Sequence, residues 1–165
     1  MRGDIPDTPG VYTLIIKMKK GERIRVGQLG SKLFPDGHYS YTGSALGSGA
    51  FSLSGRIRHH LRPKKFMHWH IDYLLNSSNA RVEAVVFSET DIDRECEVSK
   101  GIMSLEGAEI VMRGFGASDC KAGCVSHLHY FRKTAFQRIA RSILQVYERV
   151  GLRPHILMLK KRLLR

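Results

Sequence analysis

Acidic side chains are in short supply in this sequence: 15 Asp and Glu face 27 Lys and Arg, for a formal net charge of +12 and an isoelectric point near 10.0. A cation surplus of that size is the footprint of a chain that binds polyanions, because Lys and Arg displace the counterions condensed on nucleic-acid phosphates. Long apolar runs are also missing. None approaches the roughly 18 residues a helix needs to cross a bilayer, and the opening MRGDIPDTPG has no apolar stretch behind its charge, as a secretory leader would. The expectation is a soluble, cytoplasmic chain with no membrane partner. Cysteine numbers only three, leaving room for one disulfide at most. The glycine-rich GSALGSGAFSLSG lacks the G-K-[ST] of a P-loop and does not fit G-x-G-x-x-G, so neither nucleotide fingerprint applies. No internal repeat and no long linker divides the 165 residues.

What is present is enough for a folded core. Hydrophobic residues reach 42%, an ordinary globular fraction that argues against general disorder. The charge is zoned. Residues 132–165 hold ten Lys and Arg against Glu148 alone, a net +9. Residues 50–70 hold Arg56, Arg58, Arg62, Lys64 and Lys65 with no acid at all. Acids gather instead between residues 83 and 109. Arg58, Arg62, Lys64, Lys65, Arg138 and Arg141 are the candidate nucleic-acid contacts.

Hydrophobic periodicity gives a coarse plan. GVYTLIIKMKK, RIRVGQL and the segment around 38–43, after a Pro-Asp-Gly turn, read as three strands of an antiparallel meander. SLSGRIRHHL reads as a helix stopped by Pro63, and MHWHIDYLLN as a second. RVEAVVFS is a strand, and Thr90 or Asp91 is the candidate cap of a helix through DRECEVSKGIMSL. EIVMRGFG reads as a strand into a loop, and SHLHYFRK as a strand. Residues 134–150 carry Ile139, Ile143, Val146 and Val150 at helical spacing, and PHILMLKKRLLR reads as a short basic amphipathic helix. The tail has three readings: a grip on nucleic acid, which leads, a homodimer face, and a membrane-surface helix.

Gly10-Val11-Tyr12 and Tyr41-Thr42-Gly43 resemble the paired tripeptides of the GIY-YIG nuclease superfamily. LSGRIRHH resembles that family's first helix, with Arg56 matching its arginine and His60 a position usually held by Tyr or His. DRECEVSK resembles the helix supplying its metal-binding glutamate, here Glu95 with Glu97 as the alternative. HWHIDYLL with FGASDCKAGCVSHLHYF is similar to an archaeal branch sometimes joined to endonuclease III. The resemblance covers residues 8–131. It implies an α+β nuclease domain over 1–131, a small mainly antiparallel sheet flanked by helices, with 132–165 a basic helical extension. The implied activity is Mg²⁺- or Mn²⁺-dependent endonucleolytic hydrolysis of DNA, branched or damaged DNA in repair included, with a DNA- or RNA-binding module as the alternative. Tyr12 would position or deprotonate the water, its pKa lowered by Arg56 and a metal, with Tyr41 in support. The sequence departs from the pattern in the hairpin inserted between the tripeptides, in Thr42, and in Ser44.

The residue types suit that chemistry on their own terms. A guanidinium bridges two phosphate oxygens, and one carboxylate plus waters is ordinary Mg²⁺ usage beside a phosphate. His68 and His70 would point to different faces of a helix, so a metal there is disfavoured; a phosphate contact or proton shuttle stays open. Cys120, Cys124 and His127 form a compact C-x3-C-x2-H cluster that Cys96 could complete. Structural zinc, a Cys120–Cys124 disulfide and free thiols are its three readings.

Overall fold

The computed structural model describes residues 5–63 and 66–159. Along the chain run β1 (Gly10–Met18), β2 (Glu22–Arg25), β3 (Ser31–Phe34), β4 (Gly37–Ala45), α1 (Leu53–Leu61), α2 (His70–Leu75), β5 (Ala80–Glu89), α3 (Glu95–Met103), β6 (Ala108–Glu109), β7 (Leu128–Phe131), α4 (Phe136–Arg149) and β8 (His155–Met158). Six strands form one sheet in the order β6-β7-β4-β1-β5-β8, and every pairing in it is antiparallel. With helices on both faces this is an α+β fold, as the sequence led one to expect.

β1 lies at the centre because it is rich in β-branched and aromatic residues on both of its faces. Tyr12, Leu14, Ile16 and Met18 enter one core with Tyr39 and Tyr41, under Leu53 and Ile57 of α1 and Ile71 and Leu74 of α2. Val11 and Ile15 enter the other with Ala84 and Val86, under Val98 and Ile102 of α3 and Ile139, Ile143 and Val146 of α4. Removing one such side chain, Leu53→Ala for instance, costs on the order of 2–5 kcal/mol.

Five expectations need correction. β1 pairs directly with β4, so the three-strand meander is absent; β2 and β3 pair only with each other as an inserted hairpin, which buries Ile24 and Phe34 in the first core. The second helix begins only at His70, because the Asp72 carboxylate caps the amides of His68 and Trp69, each at 2.9 Å. α3 starts at Glu95, later than a Thr90 or Asp91 cap would have it; Asp93 Oδ1 accepts the Glu95 amide at 3.1 Å. Of EIVMRGFG, only the first residue belongs to a strand. Finally, the described part of the tail is strand rather than helix: His155–Met158 pairs antiparallel with Ala84–Phe87 of β5, whose ladder is otherwise open on that side, and residues 160–165 of the expected helix lie outside the described residues.

Residues 132–159 are thus built into the sheet and its two cores, and the Ile139/Ile143/Val146 stripe is buried in the second. Thr42, the sequence departure in the second tripeptide, faces the same side. Its Oγ1 lies 3.0 Å from Thr13 Oγ1, which lies 2.8 Å from Tyr147 Oη of α4. Among the described residues, no helix is long and apolar enough to cross a membrane.

Candidate active site

The two tripeptides meet because β1 and β4 pair with Tyr12 opposite Gly43 and Leu14 opposite Tyr41. Tyr12 and Tyr41 therefore share a face as diagonal neighbours. Both glycines are steric requirements. A Cβ on Gly43 would stand 2.5 Å from Tyr12 Oη, and one on Gly10 would stand 2.4 Å from Ser88 O and 2.5 Å from Leu53 Cδ1. Gly43 lets the Tyr12 ring lie across the neighbouring strand; Gly10 lets α1 sit close to β1.

A cleft of about 480 Å³ opens over this face, with Tyr12, Tyr41, Arg56, Trp69, Glu95 and Asp119 among its walls. α1, capped by Ser52 Oγ on the Gly55 amide at 3.2 Å, carries two of the predicted residues one turn apart. Arg56 reaches the cleft, its guanidinium carbon 4.4 Å above the Trp69 ring. Cation–π contact of that kind fixes the plane of the fork. The buried Arg56 Nε and Ser44 Oγ have no hydrogen-bond partner among the described residues.

His60 sits behind the cleft, fully buried, with Nε2 2.7 Å from Tyr12 Oη. Its Nδ1 lies 3.9 Å from Asp72 Oδ1, an electrostatic rather than hydrogen-bonding separation. Asp72 Oδ1 also lies 3.1 Å from His59 Nε2. Burial lowers the His60 pKa against the pull of Asp72, which favours a neutral imidazole in contact with the Tyr12 hydroxyl. Burial alone would raise Asp72, but His60, the Trp69 and His68 amides and His59 outweigh it and hold the carboxyl well below its usual range. The phenols run against expectation. Burial raises Tyr12, with Arg56 only partly opposing, and it raises Tyr41 likewise. Arg56 alone therefore does not make Tyr12 acidic: without a metal, burial outweighs it and keeps the phenol protonated. Asp72, unassigned by sequence reasoning, was readable as the acid three residues after Trp69 at a helix start.

The two glutamates separate. Glu95 lines the cleft, with Oε1 3.0 Å from His127 Nδ1. Glu97 turns outward to the Arg94 guanidinium at 3.0 and 2.8 Å. Beside Glu95, Cys96 Sγ lies 3.3 Å from Cys120 Sγ and 3.9 Å from His127 Nε2. Cys124 joins them, and all four ligand atoms lie within 4.8 Å of one another. The three cysteines are free thiols. Burial raises Cys96 and Cys124; at Cys120 it is outweighed by the Cys124 amide, the Cys96 thiol and the Ala122 amide, which bring that thiol down to about 6.

His68 and His70 both line the cleft, since only His70 is helical and the expected opposition of faces does not arise. His70 Nδ1 accepts the Gly116 amide at 2.9 Å. The basic candidates divide: Arg58 and Arg62 are exposed at α1, on the cleft side, whereas Arg138 and Arg141 are exposed on α4, across the sheet. Lys64 and Lys65, with Lys160, Lys161, Arg162 and Arg165, lie outside the described residues.

No curated protein and no solved structure matches the chain. A family model does, over residues 11–151, which is 141 of the 165 residues. The chain therefore belongs to the family described as domain of unknown function DUF123.

Proposed function

We propose that this chain is a divalent-metal-dependent endonuclease of the GIY-YIG kind, hydrolysing phosphodiester bonds in DNA. One observation carries the reading: Tyr12, Tyr41, Arg56 and Glu95, drawn from four separate elements, line a single cleft, with His60 hydrogen-bonded behind Tyr12. The resemblance of both tripeptides to that superfamily supports it.

The chemistry follows from the contacts. Arg56, held over Trp69, bridges two phosphate oxygens and meets the charge that builds in the transition state. The attacking water donates its proton to Tyr12 Oη as Tyr12 passes its own to the neutral His60 Nε2. The resulting imidazolium faces the Asp72 carboxylate, the same division of labour as a hydroxyl–imidazole–carboxylate triad. Tyr41, protonated, donates to a phosphate oxygen. Asp93, Glu95 and Asp119 line the cleft; their hard oxygen donors fit Mg²⁺ or Mn²⁺, with the Glu95 oxygen that does not face His127 as the main ligand. When bound, such an ion neutralises charge on the phosphoryl and leaving oxygens.

The test is cleavage of end-labelled linear, single-stranded and branched DNA with Mg²⁺ or Mn²⁺. Arg56→Ala and Glu95→Gln should each lose about 100-fold or more in rate while retaining DNA binding. The burial and raised pKa of Tyr12 favour a second reading, a DNA- or RNA-binding module on a nuclease scaffold. Tight, salt-sensitive binding with no cuts on any substrate would establish that reading and overturn the first.

A further inference from the structure

We propose that Cys96, Cys120, Cys124 and His127 bind one structural zinc ion, and that this centre positions Glu95 through the far side of the His127 ring. The positioning half rests on the nuclease reading of Glu95; the zinc half does not.

The donor set is three thiols and one imidazole, with one ligand atom from each inside a 4.8 Å cluster. Sulfur and imidazole select zinc over the hard cations suited to the carboxylates of the cleft, so the two sites are chemically distinct. The 3.3 Å between Cys96 Sγ and Cys120 Sγ is far longer than a disulfide bond of about 2.05 Å. It is close to the edge of about 3.8 Å of a tetrahedron whose zinc–sulfur arms are about 2.3 Å. Three thiolates and a dication carry a net negative charge. Lys100, whose Nζ donates to Ala122 O at 2.9 Å, stands beside it and anchors the turn between the two loop cysteines.

The fold gives the ion a structural task. Between β6, ending at Glu109, and β7, starting at Leu128, 18 residues form neither helix nor strand. A segment of that length inside a compact domain needs a reason to hold one shape. Three of the four ligands lie at its end, and the fourth is on α3, so the ion would tie this loop to a helix. The same loop supplies Gly116, Ser118 and Asp119 to the cleft.

His127 links the two sites. Its Nε2 lies 3.9 Å from Cys96 Sγ, and its Nδ1 lies 3.0 Å from Glu95 Oε1, an ion-pair separation that ring rotation on ligation would align into a hydrogen bond. A ligating histidine whose other nitrogen meets a carboxylate is the arrangement that fixes ring orientation in zinc centres. Here the carboxylate also lines the cleft, so orienting the ring orients the carboxylate. Zinc binding displaces the thiol protons to solvent, and no redox partner is needed.

The experiment uses untagged full-length protein and no nucleic acid. Metal analysis should find one zinc per chain, and Co²⁺ substitution should give the sulfur-to-cobalt charge-transfer band and intense visible bands of a tetrahedral thiolate site. Cys124→Ser should lose the zinc. Because that variant could unfold, Glu95→Gln serves as the second probe: it should keep one zinc but bind it about 10–100-fold more weakly in chelator competition. Protein without zinc, whether its thiols are free or two are oxidised to a disulfide, overturns the zinc site. Unchanged zinc affinity in Glu95→Gln overturns the positioning role. Metal content and affinity are read without cleavage, so they stand whether or not the nuclease reading does.

Discussion

On one wall of the cleft stands Arg56, with His60 buried behind it, both on α1, whose Leu53 and Ile57 are buried in the first core. On the other wall, Glu95 is backed by His127, which comes from a loop with no helix or strand and itself clusters with three thiols. The first wall is organised by apolar burial and by the Asp72 carboxylate, which collects the His68 and Trp69 amides and both neighbouring imidazoles. The second joins α3, packed by Val98 and Ile102, to a loop that buries little of its own beyond Met112 and Phe115 and whose hold on α3 would be tightened by tying its four sulfur and nitrogen donors. A site can thus be preorganised in two ways, by packing or by ligation. The walls should fail under different insults.

The largest expected effect is chemical. Arg56→Ala should slow cleavage by about 100-fold or more with zinc content and melting temperature nearly unchanged, since Arg56 is not a core residue. Metal removal should do the reverse to order: with chelator, amide exchange across residues 110–127 should accelerate while α1 and β1 stay protected, as read by hydrogen exchange with mass spectrometry. Equal loosening of both walls would erase the distinction. Tyr12→Phe, which strands the buried His60 Nε2, should cost about 1–3 kcal/mol in urea denaturation and leave zinc bound.

Acid should separate the walls further. His60, facing Tyr12, Asp72, His59 and Arg56, is lowered by burial, and His129 is lowered to about 4 by burial and the His127 charge. The unfolded chain then binds more protons than the native one, so stability falls as pH drops from about 7 toward 4. His127 is opposite in sign: burial lowers it, but Glu95 outweighs burial and raises it. In metal-free protein its contribution is complete below the unfolded value of about 6.5 and is lost as pH rises through the folded one. Chemical denaturation of metal-free protein between pH 5 and 8 should show a steeper acid-side loss in His127→Gln than in wild type, and a shallower one in His60→Gln. The smallest effect belongs to Thr42→Val, which removes the contact to Thr13 and should cost about 1 kcal/mol.

The sequence made the packed wall more legible than the ligated one. β-branched runs, paired tyrosine–glycine tripeptides and a Pro63 stop are local signals, and they located β1, β4 and α1 within a residue or two. The tail failed because four residues of edge strand have too little periodicity to outvote a basic apolar pattern. The opposition of burial to Arg56 at Tyr12 was not legible, because sequence names charges but not burial. Asp72 and the His127–Glu95 contact join residues 12 and 32 positions apart from their partners, His60 and Glu95, through tertiary packing that no spacing encodes.

The most direct test asks whether the two walls serve one transition state. Single-turnover cleavage by Arg56→Ala, Glu95→Gln and the double variant should be strongly non-additive, the double losing little more than the worse single, because groups that act as one unit lose their function together. Losses that simply multiply, or the absence of cleavage in wild-type protein, would contradict a single centre built from both walls.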